Sequence, residues 1–226
     1  MSVTQLPPTQ ADEPTPSPRR NLVMKYVRPA IMMTLLLTII TGLIYPGIVT
    51  VLAQVIFPYQ ANGSLHTVNG KIIGSDLIGQ QWTSPKYFHG RPSVTVNPAT
   101  GTPEPYAADN STASNIGPTN KQLIDGNGGA YKGVKNYADQ FRKENGLAPN
   151  TPLPSDIVTA SGSGLDPDIS PEAAFLQVAR VAKARGMSEA TVHKLVEDHI
   201  QGRFLWIFGE PHVNVLDLNL ALDGTK

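Results

Sequence analysis

Cysteine is absent from the 226 residues. That excludes disulfide scaffolds, thiol nucleophiles and zinc sites built on cysteine, and it leaves the compartment open. Net charge is absent as well, since 18 basic side chains face 18 acidic ones. Nucleic-acid binders depend on a basic excess, so no nucleic-acid partner is expected. A third absence is local: from Ala30 to Gly70 there is no Asp, Glu, Lys or Arg. Internal repeats are missing too. What the sequence has in quantity is punctuation, with 20 Gly and 20 Pro, and many turns should follow.

The uncharged run divides the chain into three. Before it, residues 1–20 carry Pro7, Pro8, Pro14, Pro16 and Pro18 among Thr, Gln and Ser. Too little apolar surface is available there to offset chain entropy, so residues 1–28 are expected to hold a disordered, Pro-rich cytoplasmic tail. Residues 29–57 come next. From Ala30 to Phe57 no helical face is polar. A helix over Ala30–Ala53 would be about 36 Å long at 1.5 Å per residue, against a hydrocarbon core of about 30 Å. The run predicts a single transmembrane α-helix. Arg19, Arg20, Lys25 and Arg28 stand just before it, and the first charge after it is Lys71. The positive-inside rule then puts the N-terminus in the cytoplasm and residues 58–226 outside. The rival is a cleaved signal peptide ending at Val51-Leu52-Ala53. Against it, the apolar run exceeds the usual h-region and continues past Ala53.

Pro46 lies inside the span, cannot donate a backbone hydrogen bond and frees the carbonyl of Gly42, which predicts a kink. Thr34, Thr38, Thr41 and Tyr45 follow one another at spacings that share one helical face. Two readings stand for this stripe: close packing on partner membrane helices, or hydroxyls bonded back to their own helix.

Residues 58–226 read as an α+β domain. Lys71-Ile72-Ile73 and Val94-Thr95-Val96 suggest short strands among turns. Val134, Tyr137, Ala138 and Phe141 have helical spacing, with Gly146 as the stop. Ser170-Pro171 opens a second helix with an N-cap and a first-turn proline, and its stripe is Phe175, Val178, Ala179 and Ala182 before Gly186. Ser188 caps a third, with Val192, Leu195, Val196 and His199 on one face. Leu216, Leu218, Leu220 and Leu222 alternate with Asp217, Asn219, Ala221 and Asp223, which predicts a half-buried strand.

Catalytic constellations are mostly missing. Gly70 to Ser75 lacks the Gly-Lys-Ser/Thr ending of a phosphate loop, and Tyr131 stands where a dinucleotide fingerprint needs its third glycine. Ser161-Gly162-Ser163-Gly164 misses a nucleophile elbow because Ala160 is not glycine; a tight turn is the better reading. Glu189, His193 and Glu197 share a helix face, but HExxH is absent, so a solvated face is expected. His66, His89 and His212 stand alone. Trp82, Tyr87, Phe88 and Arg91 fit an exposed recognition patch or core packing. A hydrolase would need a catalytic pair among Asp156, Asp166 and Asp168, yet each sits beside Pro or Ser as turn and cap residues do. A small-ligand binding module is a further alternative.

Taken in order, these pieces resemble the KdpC family, the C subunits of the bacterial Kdp potassium-transporting P-type ATPase. The resemblance rests on Tyr45-Pro46, Gly74-Ser75, Gly79-Gln80, Phe88-His-Gly-Arg-Pro-Ser93 and Ala113-Ser-Asn-Ile-Gly-Pro-Thr-Asn120. It continues through Pro154 to Pro171, Gln177 to Gly186 and Gly209 to Leu222. Two departures are the long Pro-rich tail and Ala113, where a glycine is more usual. The resemblance implies a non-catalytic accessory subunit in the bacterial inner membrane. Its partners would be a potassium-channel-like subunit and an ATP-hydrolysing P-type subunit, which it helps assemble and stabilise. The family is described as a catalytic chaperone that raises ATP affinity. ATP and potassium would be handled through the complex, with no cofactor or metal bound directly. Membrane packing would fall to Thr34, Thr38, Thr41, Gly42, Tyr45 and Pro46. The family motifs would expose Phe88, Arg91, Asn115, Ser161, Gly162, Gly164 and Asp166 as a surface.

Overall fold

The computed structural model describes residues 19–224. The expected Pro-rich tail lies outside the described residues as far as Pro18. The chain divides after Ala61 into two units.

Among its described residues the first unit is helical apart from Phe57. Helix α1 (Arg19–Ile39) runs into a π-helical turn (Ile40–Ile44), then α2 (Tyr45–Ile56) and a short α3 (Pro58–Ala61). The helix is thus already present at Arg19, ahead of the expected tail boundary at residue 28. Arg, Lys, Leu and Met are all good helix formers, so nothing local stops the helix where apolarity begins. Lys25–Ile56, 32 residues, is long and apolar enough to cross a membrane, and none of its most apolar window is buried. At 1.5 Å per residue it spans about 48 Å, more than a hydrocarbon core of about 30 Å.

The second unit starts with a hairpin. Strands β1 (Leu65–Val68) and β2 (Lys71–Ser75) pair antiparallel, Val68 opposite Lys71. Asn69 and Gly70 between them have φ of 52° and 75°, the left-handed pair that a two-residue hairpin loop requires. A long irregular stretch follows, with only helix α4 (Gln122–Asp125) in it. Val94–Val96 is not the expected strand. It has one isolated bridge, from Val96 to Pro103, with the Glu104 N–H donating to the Thr95 carbonyl, while Thr95 Oγ1 donates to the Glu104 carbonyl at 2.5 Å and accepts from Ala107 N–H.

The core sits under the later elements. Helix α5 (Val134–Asn145) ends at Gly146 in the left-handed conformation. A 3₁₀ turn (Ser155–Ile157) leads to β3 (Asp168–Ile169). Helix α6 (Pro171–Phe175) is capped by Ser170, whose side chain accepts from Ala173 N–H. Helix α7 (Val178–Arg185) stops at Gly186, and α8 (Glu189–Asp198) is capped by Ser188. Phe141, Ile169, Val178, Val181, Val192 and Val196 pack as one cluster. Strands β4 (Ile200–Gln201) and β5 (His212–Asn214) complete a small antiparallel sheet ordered β3-β5-β4.

The C-terminal leucines overturn the expected strand: Val215–Leu222 is helix α9. Asn214 caps it by accepting from the N–H groups of Leu216 and Asp217. Leucine is a strong helix former and lacks the β-branching that favours strands. In a helix the four leucines make two i,i+4 pairs on different faces, and Leu216, Leu218 and Leu220 are all buried. Burial on several sides erases the 3.6-residue signature. Helices and strands do not alternate regularly, so the α+β expectation holds for this unit.

Candidate functional site

In the apolar helix, Pro46 is met by a wider turn. The Tyr45 N–H donates to the carbonyl of Ile40, five residues back. A proline ring clashes with the carbonyl four residues earlier, here Gly42, and one extra residue in the turn opens that space. Thr41 Oγ1 donates to the Leu37 carbonyl at 2.7 Å, so this hydroxyl follows the own-helix reading of the threonine stripe. Thr34, Thr38, Gly42 and Tyr45 all lie on exposed positions of the helix.

The second unit treats Phe88 to Ser93 as an irregular strand held by side-chain amides. Asn219 of α9 accepts the Phe88 N–H at 2.8 Å and donates to the Phe88 carbonyl at 3.0 Å. Gln177 accepts the His89 N–H at 2.8 Å and donates to the His89 carbonyl at 3.1 Å. Each amide therefore serves one residue's two backbone groups, as a neighbouring strand would. Arg180 adds two bonds, to the carbonyls of Pro85 and Tyr87. Phe88 was expected on a motif surface, but its side chain is fully buried in the core; the paired backbone lets a large apolar ring go inward. For Phe88, core packing is the correct alternative.

Arg91 and Asp166 do meet, in a half-buried ion pair at 2.7 Å. The Arg91 carbonyl accepts from the Tyr106 hydroxyl at 2.8 Å. Burial pushes that hydroxyl's pKa up, and the Asp166 charge adds to the effect. Arg91, Trp82, His89, Tyr106 and Glu144 line a cavity of about 260 Å³. A bond from His89 holds the Glu144 carboxyl below its ordinary range.

Ser161 to Gly164 forms the expected tight turn. Ser161 is buried, not exposed, because its hydroxyl accepts the Gly164 N–H at 2.9 Å inside the turn. Gly164 has φ of 70°, and a Cβ there would stand 2.6 Å from the Thr112 carbonyl oxygen. Its own carbonyl accepts from Ser93 Oγ. Gly162 and Asn115 are exposed, so the expected motif surface reduces to these two, with Arg91 and Asp166 half-buried beside the cavity. The other carboxylates hold structure. Asp156 accepts from both the N–H and the hydroxyl of Ser170, and burial raises the pKa of Asp168.

A site that sequence reasoning missed lies between β4 and β5. Phe204 and Phe208 exchange backbone hydrogen bonds at 2.8 and 2.9 Å and close a narrow hairpin. Leu205 and Trp206 at its tip have φ of 51° and 63°, and each such left-handed non-glycine residue costs about 1–2 kcal/mol. Trp206 is 90% exposed and Ile207 74%. Phe204, Leu205 and Phe208 are exposed as well. Arg203 and Glu210 close the neck as an ion pair at 2.6 Å. Five consecutive apolar side chains thus stand in solvent on a turn whose backbone is itself unfavourable.

The histidines are not solitary. His66 Nε2 contacts the carboxylate of Asp76 and lies 3.1 Å from Asp217 Oδ1; the three residues come from β1, the end of the hairpin and α9. His193 lies 3.4 Å from Glu197 on the outer face of α8 and stacks on Phe175, in keeping with a solvated face.

An apolar N-terminal helix, an α+β unit that follows it in the sequence and an uncovered apolar tip describe a subunit of a larger assembly. Residues 27–224 match the KdpC family, described as "K+-transporting ATPase, c chain". The potassium-transporting ATPase KdpC subunit of Rhodopseudomonas palustris (strain BisB18) is 54% identical over 209 residues, 90% of this chain and 100% of that protein. That of Bradyrhizobium diazoefficiens is 53% identical over 206 residues, 89% of this chain and 98% of the relative. That of Sorangium cellulosum is 49% identical over 206 residues, 90% and 100% respectively. The chain belongs to the KdpC family and is a subunit of the Kdp potassium-transporting ATPase.

Proposed function

We propose that the chain is a non-catalytic accessory subunit that holds together the potassium-channel-like and ATP-hydrolysing subunits of its complex. Its N-terminus lies in the cytoplasm, one helix crosses the inner membrane, and the α+β unit stands outside. The observation that carries this reading is the apolar surface the chain leaves uncovered, along Lys25–Ile56 and again at Phe204–Phe208. Exposed apolar area of this kind marks surfaces made for lipid or partner. The nucleotide of a P-type subunit lies on the cytoplasmic side, where this topology leaves only the N-terminal segment. Any rise in ATP affinity therefore passes through the membrane helices as a coupling free energy.

Two measurements test the reading. Lys194 is 72% exposed and the chain has no cysteine, so Lys194→Cys gives a single reporter. A membrane-impermeant maleimide should label it in intact cells; labelling only after lysis means the opposite orientation. For the helix, Pro46→Leu restores regular turns and should reduce the yield of intact complex after affinity purification. Unchanged yield removes the helix from the assembly surface.

A further inference from the structure

The second unit carries a cluster of three metal-ligating groups drawn from the β1–β2 hairpin and from α9, far apart in the sequence. His66 Nε2, an oxygen of Asp76 and an oxygen of Asp217 all lie within 4.8 Å of one another, and all three residues are half-buried. Two carboxylates therefore address the same imidazole nitrogen. A divalent cation held by the imidazole nitrogen and one oxygen of each carboxylate turns the repulsion between the two carboxylates into attraction to the ion.

A second, independent feature is on the same cavity, of about 630 Å³, whose walls include His66, Asp217 and His199. His199 Nδ1 donates to the Leu195 carbonyl at 2.7 Å. That bond occupies Nδ1, the arrangement that metal-binding histidines take when their other nitrogen is tied to a backbone carbonyl. The scaffold beneath is firm. The Asp76 carbonyl accepts from Asn214 Nδ2 at 2.9 Å, and Asn214 caps α9 three residues before Asp217.

From this geometry we infer that His66, Asp76 and Asp217 bind a divalent transition-metal ion of the zinc type. Imidazole with carboxylate is a donor set that suits Zn²⁺ and its neighbours over Ca²⁺ or Mg²⁺. The ion staples the β1–β2 hairpin to α9. The inference stands apart from the assembly role and survives if that role fails.

The test uses the full chain in detergent, carrying a streptavidin-binding tag in place of a polyhistidine one. After EDTA treatment and dialysis, Zn²⁺ is titrated against a chromophoric chelator. One Zn²⁺ per chain is expected, with a rise in the thermal midpoint. His66→Gln and Asp217→Asn should each weaken uptake at least about tenfold, the scale of losing one ligand or its support. The metal-free midpoint of each variant, compared with that of the parent, separates a lost ligand from a lost fold. If a variant does not fold, Co²⁺ absorption of the parent gives the answer, since nitrogen and oxygen ligands in a low-coordinate site produce intense visible bands. Absence of saturable uptake overturns the inference, and so does stoichiometric uptake that survives both substitutions.

Discussion

Trp206→Ser should remove most of the intact complex from a purification that starts with tagged partner subunits. Trp206 is 90% exposed in this chain, so its removal costs the isolated fold almost nothing. In an assembled interface the same ring would bury about 150–250 Å², and truncating a central aromatic anchor typically costs at least about 2 kcal/mol. At about 1.4 kcal/mol per tenfold, affinity falls roughly 30-fold. The thermal midpoint of the isolated chain should not move. A full yield of complex with Trp206→Ser would show that the tip is not the docking element. A lowered midpoint would mean that the ring packs against this chain after all.

Asn219→Leu should have the opposite profile, with a large loss of stability in the isolated chain. The Asn219 amide is fully buried and serves both the N–H and the carbonyl of Phe88. Leucine fills a similar volume but offers no polar atom, so two backbone groups are left unpaired in the core. Each orphaned group costs about 1–3 kcal/mol, and for a unit of this size each kcal/mol lowers the midpoint by about 2–4 °C. A fall of about 10 °C is expected, followed by near-ultraviolet circular dichroism, which reports on the packed aromatic rings and not on the membrane helix. A shift below about 2 °C would mean that the segment at Phe88 is held by its neighbours, chiefly Gln177 and Arg180, without this amide.

The two residues also mark where the sequence was legible. The membrane-length helix was readable from its unbroken apolar run, and the caps at Ser170 and Ser188 and the stops at Gly146 and Gly186 were readable because each depends on chemistry within one turn of chain. The segment at Phe88 was not. Its ladder partners are side chains 88 and 131 positions away, and no local pattern announces an amide acting as a strand. Helix α9 misled for a related reason: leucine at every second position satisfies a half-buried strand and a helix buried on two faces equally well. The tip at Trp206 carried a signal that went unused. Phe204 to Phe208 is an apolar run fenced by Gly202-Arg203 and Gly209, and such runs usually turn out to be buried strands. His66, Asp76 and Asp217 could not have been joined by spacing at all, since topology alone brings them together.

The π turn at Ile40–Ile44 has a consequence for neighbours. One residue is 100° of helical azimuth, so every side chain after Ile44 is rotated by about that angle from where a regular helix would put it. The row of Thr34, Thr38 and Thr41 is not continued on the same side by the residues beyond Pro46. A straight neighbouring helix can follow one half of this span only. The other half presents its best surface in a different compass direction, and a single thin helix is thereby able to sit in the corner between two different proteins and touch each with its own half.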